Sequence, residues 1–139
     1  MQFSEIYKQS DGFIRQDFIA WYAVFFSKEE KRRIVASVVN PASFAGATAL
    51  GFENHLNVFH WGREGLPEDI ARGLAVFLNS TAIDEFFRRF NGHTQVNATD
   101  LKLMKYPSRA ILCALGKWAK NNERQSQEMI DIQFKQIIA

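Results

Sequence analysis

The texture of this chain changes at Leu66, and that change constrains the fold more than any other feature. Before it, Ile14, Phe18, Tyr22, Val24 and Phe26 lie in an aromatic-rich run between Gly12 and Ser27, and Phe52–Trp61 is a second such run. Large β-branched and aromatic side chains at that density favour strands. After Leu66, apolar residues recur at helical spacing. Pro67 stands at a first helical position, Glu68 and Asp69 occupy a first turn, and Ile70, Leu74, Phe77 and Leu78 follow on one stripe. Strands first and helices second is an α+β plan: mostly antiparallel strands over 1–61, then a helical C-terminal half over 66–139. With 139 residues the chain is the size of one domain, 1–139.

Punctuation refines this plan. Asn40–Gly51 is small, glycine-containing and poorly periodic, which implies a loop. The crowding of large groups on both faces of Phe52–Trp61 implies a central or heavily covered strand. Between the runs, Ser27 and Glu30 have the spacing of a capping box, whereas Ile34–Val39 is β-branched, so helix and strand compete there. Ser80 can cap a second helix with Ile83, Phe86, Phe87 and Phe90 as its apolar stripe, ended by Asn91-Gly92. Ser108 starts a third helix and Glu123–Ile138 supplies a fourth. Met129, Ile130, Ile132, Phe134, Ile137 and Ile138 surround much of that last helix, which therefore closes this domain's core or docks on a partner.

Several classes of chemistry are missing. The chain holds no phosphate-loop lysine pattern, nucleophile elbow, H-E-x-x-H pair or G-x-G-x-x-G. His55 and His60, five apart on one strand, face opposite ways, and His93 is remote, so no metal site is expected. The pairs Glu68-Asp69 and Asp84-Glu85 read as first-turn acids that offset a helix dipole. Cys113 is a lone cysteine, and no apolar run approaches the ~18 residues of a membrane span, so a soluble, cytoplasmic, non-enzymatic protein is the expectation. The start, MQFSEIYKQSDGF, does not have the form of a secretion signal.

Charge points elsewhere. The net charge is only +2, yet Phe86–Lys120 holds seven Lys or Arg against the single acid Asp100. A local basic patch suits phosphates. In the string FFRRFNGHTQVNATDLKLMKYP, Arg88, Arg89, Lys102 and Lys105 can neutralise a nucleic-acid backbone, and His93, Gln95 and Asn97 carry donors and acceptors that suit base edges. Bland alternatives stand beside each. Arg88 and Arg89 end a helix, where positive charge is favourable anyway. Thr94, Asn97 and Asp100 can satisfy a turn, with Asp100 capping the turn into Leu101. Lys31, Arg32 and Arg33 follow Glu29-Glu30, so a compensated solvated face competes with a secondary DNA contact. Phe86, Phe87, Phe90 and Trp118 are assigned to packing.

The phrases SKEEKRRIVASV, GFENHLNVFH, GLPEDIARGLAVFLNST and FFRRFNGHTQVNATDLKLMKYPS, in that order, resemble the C-terminal region of bacterial restriction-modification DNA methyltransferases that modify adenine. GHTQVNATDL followed by YP is also similar to the ending of target-recognition domains in type I specificity subunits. The resemblance spans about Phe13 to Gly116. It implies a recognition domain that binds double-stranded DNA, while S-adenosylmethionine and the flipped adenine belong to a partner catalytic domain. No cofactor is implied in this chain. The family's Asn-Pro-Pro-aromatic motif has no counterpart, since Asn40-Pro41 continues as Ala42-Ser43, and Phe25-Phe26 replaces the basic residue that precedes the S-K-E-E block. A protein-interaction module without base readout is the alternative.

Overall fold

The computed structural model describes residues 13–15, 23–27, 32–40, 49–51, 57–59, 66–90 and 98–138. Helix predominates among them, and the helical C-terminal half is as the sequence implies.

Helix α1 (Glu68–Leu78) is the centre of the fold. Ile70, Ala71 and every residue from Gly73 to Leu78 are buried, so this helix meets neighbours almost all round rather than along one stripe. Pro67 is its N-cap rather than its first helical residue, and the Pro67 carbonyl accepts from Ala71 N–H at 2.9 Å. The fold places α2 (Thr81–Phe90), a short α3 (Ala98–Leu103), α4 (Arg109–Asn121) and α5 (Gln127–Ile138) after it. The turn expected before Leu101 is thus a helix that begins at Ala98, with Asp100 inside its first turn.

Helix α4 lies closest to α1, and two glycines permit it. A Cβ added to Gly73 would stand 1.9 Å from the carbonyl oxygen of Leu112, and one added to Gly116 would stand 1.9 Å from that of Asp69. The backbones touch where each helix lacks a side chain. Ser108 caps α4, its hydroxyl accepting from Ile111 N–H. The last helix starts at Gln127 rather than Glu123, because Ser126 accepts from Met129 N–H at 3.1 Å and sets the boundary.

An aromatic chain joins these layers. Tyr106 lies edge-on to Phe59 with centroids 6.4 Å apart and tilted against Phe77 at 6.0 Å, and Phe77 stacks on Phe134 of α5 at 5.9 Å. Tyr106 also donates its hydroxyl to the Leu101 carbonyl at 3.1 Å, which seats the end of α3 on the core. Phe134 and Ile137 cover the core and Ile130 is buried, so one face of α5 closes this molecule, while Ile132 and Ile138 stay exposed.

The β-branched run after Arg33 resolves as strand β3 (Val35–Val39). Its backbone pairs antiparallel with β2 (Ala23–Ser27), which also pairs antiparallel with β5 (Asn57–Phe59). A separate pair joins β1 (Phe13–Arg15) to β4 (Ala49–Gly51), so the last three residues of the expected loop Asn40–Gly51 are extended. Among the described residues β5 is therefore an edge strand, and the covering expected of it comes from the helices: Phe59 is fully buried.

Strand β3 is the other edge, and Asn79 covers it. The Asn79 side chain accepts from Ala36 N–H and donates to the Ala36 carbonyl, both at 2.8 Å. A carboxamide thus does for one residue what a further strand would do, and leaves less edge for another chain to pair with.

Candidate nucleic-acid interface

Ser80 links α1 to α2. Its hydroxyl donates to the Phe77 carbonyl at 2.8 Å and accepts from Ile83 N–H at 3.4 Å, the cap its position implies. The next residue reaches a different helix. Thr81 donates its N–H to Asp131 Oδ1 at 2.8 Å and its hydroxyl to Asp131 Oδ2 at 2.7 Å, so α5 sets a carboxylate on the N-terminus of α2, where the helix dipole favours negative charge.

Asp84, one turn on, joins two basic segments. Its Oδ1 accepts from the backbone N–H of Arg33 at 2.7 Å, and its Oδ2 accepts from Arg88 Nε at 2.8 Å. Arg32 donates through Nη1 to Gln127 Oε1 on α5. Gln127 in turn donates through Nε2 to the Asn79 carbonyl at 2.8 Å and to Asp131 Oδ1 at 3.2 Å. Arg32, Arg33 and Arg88 therefore share one neighbourhood, although more than 50 residues of chain separate the two segments.

Ionisation follows from these contacts. Burial opposes the charge on Asp84, but the hydrogen bonds from Arg88 and from the Arg33 backbone, with the charges of Arg88 and Arg32, outweigh it and hold the carboxyl below its usual range. Burial likewise opposes ionisation of Asp131, and the two Thr81 hydrogen bonds, Gln127 and the Arg32 charge overcome it. Both acids stay charged at neutral pH. The charges that act on these acids are those of Arg88 and Arg32 on Asp84 and of Arg32 on Asp131.

The remaining site residues fall into three groups. Arg89 is exposed on α2, and Lys105 is exposed just after α3, with no described hydrogen bond or ion pair joining either to the Arg32–Arg33–Arg88 patch. Lys102 belongs to α3. Lys31, His93, Gln95 and Asn97 lie outside the described residues, as do Thr94, His55, His60 and the Asn91-Gly92 stop.

The packing assignments divide as well. Phe87 is fully buried and Trp118 packs against the core, but Phe86 is 39% exposed, its ring edge-on to Phe87 with centroids 5.2 Å apart. Among the described side chains of α2, Ile83 and Phe87 are buried and Phe86 reaches solvent; the side chain of Phe90 lies outside the described residues.

Asp84 and Asp131 were missed as organising residues. The Asp84–Arg88 spacing of four was readable as a helical ion pair. Neither the Arg33 contact nor Asp131's cap on α2 leaves any local signal. On the far side of Asn79 a groove of about 270 Å³ runs past Val38, Arg72, Glu123 and Gln125. No group of three or more His, Cys, Asp or Glu among the described residues could hold a metal, and no described helix is long and apolar enough to cross a membrane.

No protein-family model matches the chain, and no solved structure matches it. Two curated proteins are similar to it. The type II methyltransferase M.BsuBI of Bacillus subtilis is 53% identical over 115 residues, 82% of this chain. The type II methyltransferase M.PstI of Providencia stuartii is 55% identical over 86 residues, 62% of this chain. The chain spans 23% of the length of the first and 17% of the second. It is therefore homologous, over most of its length, to a segment of type II methyltransferases, and is related to the restriction-modification methyltransferases.

Proposed function

We propose that this chain is a non-catalytic DNA sequence-recognition module of an adenine-specific DNA methyltransferase. It positions duplex DNA for a catalytic domain, separate or upstream, that binds S-adenosylmethionine and receives the flipped adenine. The observation that carries this reading is the correspondence of most of the chain to under a quarter of M.BsuBI, a share suited to one module of a longer enzyme. The convergence of Arg32, Arg33 and Arg88 on one neighbourhood supports it. On this reading the whole of 1–139 works as one α+β unit, with the antiparallel strand segments backing the helices. Arg88, Arg89, Lys102, Lys105 and the Lys31–Arg33 run meet phosphates, and His93, Gln95 and Asn97 read bases. It acts in the cytoplasm, where its DNA is.

Duplex titration across salt concentrations tests this. Binding weakens steeply with salt, and Arg88→Ala and Arg89→Ala lower affinity for every sequence and each reduce the salt slope by about one. Salt-insensitive binding, or none even with the methyltransferase catalytic domain present, overturns the reading.

A second reading, a module that docks on a methyltransferase without base readout, is favoured by the exposed Ile132 and Ile138 of α5. Size-exclusion mixing with the catalytic domain separates the two. Co-elution that needs no DNA, by a chain that does not bind duplex, selects the second.

A further inference from the structure

We propose that Arg33 is a phosphate ligand whose guanidinium the fold holds at a cost. This rests on the DNA-binding reading and goes beyond it by singling out one residue. The backbone N–H of Arg33 is committed to Asp84 Oδ1 at 2.7 Å, which fixes the residue beside α2. Its side chain is different. The Nε is buried and has no hydrogen-bond partner among the described residues, where it is the one such case among buried side-chain nitrogens and oxygens.

A buried cationic donor without an acceptor is destabilising, and buried polar groups are so consistently paired that an exception calls for a reason. Asp84 holds the Arg33 backbone through Oδ1 and Arg88 through Oδ2, Asp131 holds Thr81 and Gln127, and neither carboxylate accepts from Arg33 Nε. A methionine would fill similar space with no donor to satisfy. Stability alone therefore does not account for an arginine here, and a requirement for its charge and forked donors does.

The chemistry that suits the guanidinium is an oxyanion. The guanidinium is a cation that carries donors only, so what it takes is an anion that accepts hydrogen bonds. A phosphate presents two oxygens at the spacing of an arginine fork. Arg33 is half-buried, so its side chain has a route to solvent, and turning outward exchanges an unpaired donor for a charge-assisted pair. Duplex DNA and free phosphate share this chemistry.

The decisive variant is Arg33→Met in the full chain, measured by thermal melting and by titration with a short duplex and, separately, with inorganic phosphate. Arg33→Met melts at or above the temperature of the unsubstituted chain, binds every duplex sequence about tenfold more weakly and loses about one from the salt slope. Arg33→Lys, which keeps the charge without the fork, falls between. A lower melting temperature for Arg33→Met shows a structural role and overturns the proposal, as does unchanged duplex affinity. Loss of binding in Arg88→Ala and Arg89→Ala with none in Arg33→Met removes this inference and leaves the DNA reading intact. Stabilisation by inorganic phosphate that Arg33→Met abolishes, with no duplex binding by either protein, keeps the oxyanion site and removes the DNA reading.

Discussion

The α1–α4 contact and the polar junction around Asp84 hold the same fold together by opposite means. In the first, Gly73 and Gly116 let two backbones meet with no side chain between them, so the contact tolerates almost no change in volume. In the second, Asp84, Asp131, Gln127 and Asn79 join elements through directional hydrogen bonds at part-exposed positions, where water can replace a lost partner. The lesson is that shape and charge are separately placed: the apolar seam secures the fold, and the polar junction positions arginines.

The sharpest break in this contrast is expected at the seam. Gly73→Ala or Gly116→Ala gains about 1 kcal/mol of helix propensity. The new methyl lands on backbone atoms that cannot rotate away, and overpacking of that kind costs about 3 kcal/mol or more. The net is a loss of about 2 kcal/mol or more, read as a lowered urea midpoint, and an unchanged midpoint would show that the helices separate freely.

Next comes Asn79→Ala, which strips both side-chain partners from Ala36 at the β3 edge and keeps the backbone carbonyl that accepts from Gln127. A loss of about 2 kcal/mol is expected, together with faster amide exchange at Ala36. Slow exchange at Ala36 in the variant would mean that the edge is protected by something other than the carboxamide.

At the junction itself, Asp84→Ala unpairs the Arg33 N–H and costs about 1–2 kcal/mol, while Asp84→Asn keeps an acceptor for that N–H and costs less. If the two variants are equally stable by chemical denaturation, the backbone bond contributes nothing. The same acids set the pH response. The folded carboxyls of Asp84 and Asp131 lie below their usual range, so their stabilisation is complete above that range and is lost as pH falls from about 5 through the folded values. Asp84→Asn should flatten the acid limb of a melting-temperature profile, and a limb as steep as the original would assign acid sensitivity to other groups.

The smallest effect belongs to Glu68, paired at the surface with Arg72 at 3.0 Å and Lys120 at 3.1 Å. Because such pairs are worth about 0–1 kcal/mol and are screened by salt, Glu68→Gln should shift stability by less than about 1 kcal/mol, and the shift should vanish at high salt. A larger, salt-resistant loss would place Glu68 with the seam rather than the surface.

Much of the helical half was legible in sequence because its signals are local. The stripe Ile70, Leu74, Phe77 and Leu78 and the caps Ser80 and Ser108 each act within a few residues, and all are found in place. Errors came where a neighbour in space decides. Nothing near Asn79 in sequence shows that it pairs with Ala36. Phe86 reads as core by spacing, yet it is exposed while Ile83 and Phe87 beside it are buried. The ambiguity after Ser27 was real, because the β-branched preference of Ile34–Val39 settles as strand only alongside a partner.

By itself the sequence determined most of the helical segments and, through Ser80 and Ser108, where α2 and α4 start, because capping and periodicity are set within one or two turns. It also determined that cations would crowd the segment from Phe86 onward, since composition needs no partner. The tertiary structure alone decided that Gly73 and Gly116 are contact points and that Arg32, Arg33 and Arg88 share a neighbourhood organised by Asp84 and Asp131. Those are encounters between segments tens of residues apart, and only packing the chain in three dimensions brings such groups within reach of one another.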